Sequence, residues 1–150
     1  MTTITVVPGS RQTLTSSALN SLASATYVSA GIINVRTIDP LDVVIEIEAT
    51  PGTVAGNKQI AVFARVSMDG TNYTTGPTSG TTTTDEPNLR FIGVLPLNTN
   101  STQQRNALSV MSALGYVPPY IEIVVKNDSG ASLAASGHGV YWTAYTGNSA

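Results

Sequence analysis

Hydrophobic and polar positions alternate with a period of two along several stretches of the chain. The clearest is Leu41–Thr50, LDVVIEIEAT, where Val43, Ile45, Ile47 and Ala49 fall on one side and Asp42, Glu46 and Glu48 on the other. Successive side chains of a strand point to opposite faces, so this pattern predicts a strand with one dry and one wet face. Lys58–Met68 repeats it, with Ile60, Val62, Ala64 and Val66 in register and Phe63 opposite them. Pro119–Asn127 does so again, with Ile121, Ile123 and Val125 inward and Glu122 and Lys126 outward. Leu89–Leu97 is apolar on both faces, which predicts a central strand or one lying under a loop. Thr2–Gly9 is a short β-branched run closed by Pro8-Gly9. Ala25–Ile38 reads as extended with a bulge near Gly31, and Gly139–Gly147 is a last strand rich in aromatic residues.

Turn chemistry separates these runs at Pro51-Gly52, Asp69-Gly70, Gly76-Pro77 and Asn127–Gly130. Many short strands with such punctuation predict an all-β fold, an antiparallel β-sandwich of jelly-roll or Ig-like type. Helical spacing shows in two places. Thr13–Ser24 places Leu14, Ala18, Leu19 and Leu22 on one side, against a high Ser/Thr content. Ser101–Gly115 has a cap at Ser101 or Thr102, a stripe of Leu108, Met111 and Leu114, and Gly115 to end it, so one short helix is expected there. Residues 1–20 read as an N-terminal arm or first strand, 21–147 as a single sandwich domain, and 148–150 as a frayed tail. Gly76–Asn88, GPTSGTTTTDEPN, has too few apolar residues to build a core and is long for a loop, which predicts an exposed contact loop. "GASLAASG", Gly130–Gly137, reads as a hairpin.

Composition narrows the possibilities. The 150 residues suffice for one cored domain, and 41% of them are apolar. Only 11% are charged, well under the roughly 25% of an average soluble domain; Thr, Ser, Asn and Gly must supply the polar surface. A net charge of −2 gives no field to recruit nucleic acid or an anionic membrane. The absence of cysteine excludes disulfides and thiolate chemistry. The N-terminus lacks the pattern of a signal peptide, and no apolar run is long enough for a transmembrane helix.

Candidate chemistry is sparse. His138, the one histidine, lies between glycines and reads as a turn residue rather than a general base. Glu46 and Glu48 share a strand face about 7 Å apart, a spacing glycosidases use, but on the wet side, where a solvated pair is the simpler account. Asp69-Gly70-Thr71-Asn72 offers two or three oxygen ligands where calcium takes about six to eight, so a turn re-entering the sheet at Tyr73 explains it better. Tyr116, Tyr120, Tyr141, Trp142 and Tyr145 suit either a sugar platform or a buried Trp142 with tyrosines at the rim. No cofactor or metal is implied, and no enzymatic activity.

The turn VSMDGTNY after a strand, the block VPPYIEIVVKNDSGASL and the closing SGHGVYWTAYTG resemble small all-β virion proteins of tailed bacteriophages, of the head-decoration or cement type. The resemblance implies a non-enzymatic structural protein made in the bacterial cytoplasm and located in the virion. Its partners would be the major capsid protein or other virion proteins and copies of itself, with a trimer favoured. Contacts would run through the N-terminal segment (Thr2, Ile4, Val6), the polar loop (Thr81, Thr83, Asp85, Glu86) and the tyrosines Tyr116 and Tyr120. A glycan-binding fibre module and a neck or tail adaptor are the alternatives.

Overall fold

A computed structural model describes residues 3–149; Thr2 lies outside them. Its strands are β1 (Ile4–Pro8), β2 (Gln12–Thr15), β3 (Tyr27–Asn34), β4 (Asp42–Ala49), β5 (Gln59–Ser67), β6 (Ser79–Gly80), β7 (Arg90–Pro96), β8 (Gln104–Ser109), β9 (Tyr120–Asp128) and β10 (Gly139–Ser149). One helix, α1 (Val110–Leu114), follows β8 directly. The strands form two sheets. One has the order β1-β10-β4-β8, with β2 also paired to β10, and the other the order β6-β3-β9-β5-β7.

All pairings are antiparallel, and four of them nest: β2 with β10, β3 with β9, β4 with β8 and β5 with β7. They describe one long two-stranded ribbon. The ladders β4–β10 and β5–β9 then roll this ribbon into a sandwich. Eight strands wound in this way make a jelly roll, and the Ig-like alternative falls away because its strand order differs. The alternation read from the sequence sets the faces. Val43, Ile45, Ile47 and Ala49 meet Ile60, Val62, Ala64, Ile121, Ile123 and Val125 in the core, all of them fully buried. The bulge expected near Gly31 is present, as a register shift between Ser29 and Gly31.

Several local expectations give way to tertiary pairing. Ser101–Gly115 holds the expected short helix only in its last part, as α1. Its first part is β8, zipped to β4 from Gln104 to Ser109, so the cap is Ser109, whose Oγ accepts from the Ser112 amide at 3.0 Å. Gly115 ends the helix in the left-handed region, as expected. Thr13–Ser24 is β2 followed by turns, and Leu19 and Leu22 still reach the core. Gly130–Gly137 is no hairpin, because β9 and β10 belong to different sheets. β7 is an edge strand rather than a central one, and it turns Phe91 outward.

The polar segment 76–88 is not a free loop. It leaves β5, crosses the outer face of the second sheet, pairs as β6 with Val28 and Tyr27 on the far edge, and returns to β7. Beneath it lies a second apolar cluster of Tyr27, Ala61, Phe63, Leu89 and Val124. This strap begins at Gly76, with φ +145°, where any Cβ would collide with the Leu89 side chain. Its far end is tied by Glu86, which accepts from the Tyr27 hydroxyl and from Lys126 Nζ at 2.7 Å. Burial opposes both charges. It is outweighed only by the hydrogen bonds among Glu86, Lys126 and Tyr27 acting together with the opposite charges, which hold the Glu86 carboxyl below its usual range and the Lys126 ammonium above its own.

A carboxyl lowered on folding contributes stability above its unfolded pKa near 4.5, lost as pH falls. A raised ammonium contributes below its unfolded pKa near 10.5, lost as pH rises. The tie is therefore complete between about pH 5 and about pH 10. Glu86→Gln is expected to cost about 2 kcal/mol in urea unfolding at pH 7, and to raise amide exchange across Ser79–Asn88 while the β5–β9 ladder stays protected. Unchanged exchange in the strap would count against this tie.

Candidate interaction surfaces

The residues read from the sequence as contacts fall in three separate places. Ile4 and Val6 stand on β1, 67% and 57% exposed. Thr81, Thr83 and Asp85 form the exposed crest of the strap, whereas Glu86 is turned inward as its anchor. Tyr116 is exposed at the end of the sandwich beyond α1, and Tyr120 is half-buried at the start of β9.

The paired carboxylates sit on the outer face of the first sheet, each held by an arginine. Arg11 binds both oxygens of Glu46, at 3.1 and 2.5 Å, with its guanidinium 3.5 Å over the Tyr141 ring. Glu48 takes Arg105 at 2.9 Å and the Tyr141 hydroxyl at 2.9 Å. Opposed strands bring these groups together: Tyr141 lies opposite Glu46 and Arg105 opposite Glu48. With their oxygens taken up by these donors, the two carboxylates form a charge ladder instead of an acid–base pair. Trp142 points to the other face, packs on the core and lines a groove of about 410 Å³ with Gly9, Gln12, Ile38 and Thr146.

His138 is a buried connector. Its Nδ1 accepts from the Thr50 amide at 3.2 Å and its Nε2 lies 2.8 Å from the Ala134 carbonyl, which makes Nε2 the protonated nitrogen of a neutral ring. Asn127 does similar work at the other end of the same β9–β10 connection. It donates to the Leu22 and Ala131 carbonyls, at 2.8 Å each, and accepts from the Ser129 amide and hydroxyl.

The corner after β5 is closed on itself. Asp69 Oδ1 accepts from the Thr71 and Asn72 amides at 2.8 Å and from Ser67 Oγ at 2.9 Å, and Oδ2 accepts from Asn72 Nδ2 at 2.7 Å. These donors occupy the oxygens that a calcium ion would need, and they hold the carboxyl well below the usual aspartate range, the two backbone amides foremost. Gly70, at φ +79°, is required because a Cβ would stand 2.9 Å from the Tyr120 ring. Tyr73 does not restart a strand. Beyond the corner the chain rejoins β5 at Thr74, whose amide donates to the Val66 carbonyl and whose carbonyl accepts from Arg65 Nε.

Beside this corner lies a cleft of about 490 Å³, lined by Val66, Met68, Asn72, Tyr73, Arg90 and Tyr116. A second recess of about 280 Å³ shares Arg90 and Tyr116 and is bounded by Phe91 and Ala113. Met68 is 61% exposed and Phe91 55%, with the Phe91 ring edge-on to Phe63 at 5.7 Å. Arg90 makes no ion pair among the described residues. Of this group the sequence named Tyr116 alone as a contact residue. The available signal was Phe91, one position out of step with the inward Ile92 in an apolar run.

Because the Asp69 carboxyl is lowered on folding, its contribution is present above the ordinary aspartate pKa and fades as pH falls below it. Wild type is therefore expected to lose melting temperature more steeply between about pH 4 and about pH 2 than Asp69→Ala, which starts lower at neutral pH. Parallel pH profiles by calorimetry would contradict this account of the corner. No protein-family model matches the chain, and no significant match emerges among curated proteins or solved structures.

Proposed function

We propose that this chain is a structural protein of a bacteriophage particle, a capsid decoration or cement protein that binds the assembled shell. The observation that carries this reading is the cluster of Met68, Phe91 and Tyr116 around Arg90. Aromatic residues, Met and Arg are the types enriched at protein interfaces. Here Arg90 and Phe91 stand on an edge strand, Met68 at a fixed corner and Tyr116 just past α1, so that they can be buried with little reordering of the chain. The jelly-roll topology agrees, being common among viral capsid domains and lectins. Binding that favours the assembled shell over free capsid subunits would stabilise the particle by mass action.

A glycan-binding module is the second reading. It is favoured by Tyr73 and Tyr116 lining one cleft with the Asn72 side chain, since an aromatic face with adjacent amides suits a sugar ring.

The test adds purified protein to undecorated expanded capsids and follows co-sedimentation and the shell's heat resistance. Wild type should bind and raise the melting temperature of the shell. Phe91→Ser combined with Tyr116→Ala should weaken binding by about 30-fold, the effect of losing a central anchor, without lowering the melting temperature of the free protein by more than a few degrees. Absence of binding to any shell, together with glycan binding lost on Tyr116→Ala, would replace the decoration reading by the second one.

A further inference from the structure

β10 is longer than its partner β4. The β4 ladder ends at Asp42 opposite Tyr145, and from there to Ser149 β10 is paired only with β1. The segment Ile4–Pro8 with Tyr145–Ser149 is thus a two-stranded ribbon projecting past the sandwich, and such ribbons are marginal in water without a third strand or a packed face. Ile4 and Val6 share one face of it with Gly147 and the exposed Leu41, close enough that a Cβ on Gly147 would meet both Ile4 and Leu41.

The free edge of β1 is undefended. Edge strands are usually blunted by charge, proline, a bulge or shortness. β7 carries Arg90 and Pro96, β8 carries Arg105, and β6 is two residues long. Thr3–Ser10 carries no charge, and its one proline stands at the end of the strand. The register also says which groups are free. The Ala144 carbonyl accepts from the Gly9 amide while that of Tyr145 turns to Leu41, so even-numbered positions of β10 face β1. Val7 and Thr5, opposite Thr146 and Asn148, bond inward. Ile4 and Val6 aim their amides and carbonyls outward, and Pro8, which has no amide to offer, aims outward harmlessly.

We propose that this edge pairs with the same edge of a second copy, β1 against β1 about a two-fold axis through Thr5. Ile4 of each chain then opposes Val6 of the other, giving about four backbone hydrogen bonds and one continuous apolar face of two isoleucines and two valines. The edge suits a second copy because the outward groups at Ile4 and Val6 are spaced to satisfy one another in antiparallel register, and because an uncharged row meets its own image without repulsion. This is independent of the virion reading.

The experiment is sedimentation equilibrium over a concentration series with two variants. Val6→Pro removes the outward amide and leaves the β10 ladder intact; Ile4→Lys places a charge on the edge. Wild type should dimerise with rising concentration, and each variant should weaken this by at least about tenfold at unchanged melting temperature. In this cysteine-free chain, Thr5→Cys should oxidise to a covalent dimer faster than the exposed control Thr83→Cys, because Thr5 faces itself across the axis. Val6→Cys with Gly147→Cys should close within one chain; closure between chains would mean that β1 is exchanged instead, and would overturn the proposal. So would a monomer at every concentration, leaving the edge to a strand of another protein, or a dimer or trimer that survives both variants.

Discussion

A sheet that is apolar on both faces has to be covered twice, and the second sheet of this protein is such a sheet. Its inner face, built from Ile60, Val62, Ala64, Ile121, Ile123 and Val125, is closed by the first sheet. Its outer face carries Ala61, Phe63 and Val124, shielded by the strap 76–88 together with Tyr27, Leu89 and the edge of Phe91. The strap has almost no apolar residues of its own, so it is held by backbone pairing at β6, by Leu89 beneath Gly76 and by Glu86 on Lys126 and Tyr27. Burying Leu89 fixes where β7 begins. Arg90 and Phe91 then fall just outside the covered area, where they border the cleft with Met68 and Tyr116. The candidate contact surface is thus the margin of the strap's cover.

Polar groups are placed by the same rolled ribbon. Arg65 and Glu122 lie directly opposite on β5 and β9 and pair at 2.7 Å, while Arg65 also holds the Thr74 carbonyl. Exposed ion pairs such as Arg11–Glu46 add little stability, but they keep neighbouring carboxylates compatible on one sheet face. Asn127 and His138 matter more, because a buried polar group left without partners costs about 1–3 kcal/mol. Each has its partners, and each joins a loop that strand pairing leaves loose. No buried side-chain polar atom among the described residues lacks a partner.

The sheet faces were legible in the sequence wherever one side met water. Val43 through Ala49 and Ile121 through Val125 could be assigned by alternation alone. Legibility failed where pairing overrode local preference. Gln104–Ser109 has helix-compatible spacing and residues, yet β4 offers it a full antiparallel ladder, and a ladder outweighs propensity differences of a few tenths of a kcal/mol per residue. The exposure of the segment 76–88 is legible, but its course across the sheet is not, because nothing local says that Glu86 will meet Lys126, forty positions away. Of the candidate contact residues, Ile4 and Val6 showed themselves as part of a short β-branched run closed by Pro8-Gly9. Met68 and Arg90 did not, since their exposure depends on the path of the strap.

The pairing of Ile4 with Ser149 also brings the two ends of the described chain side by side. A domain whose ends leave from one point can be spliced into a loop of another protein without stretching either partner, and its ends can be joined and reopened elsewhere. The crest at Thr81–Thr84 is exposed and lies between tied segments, so new termini there would leave the β4–β10 and β5–β9 seams intact. For this jelly roll, the order in which the strands occur along the polypeptide is a matter of connection, separable from the arrangement that holds the fold together.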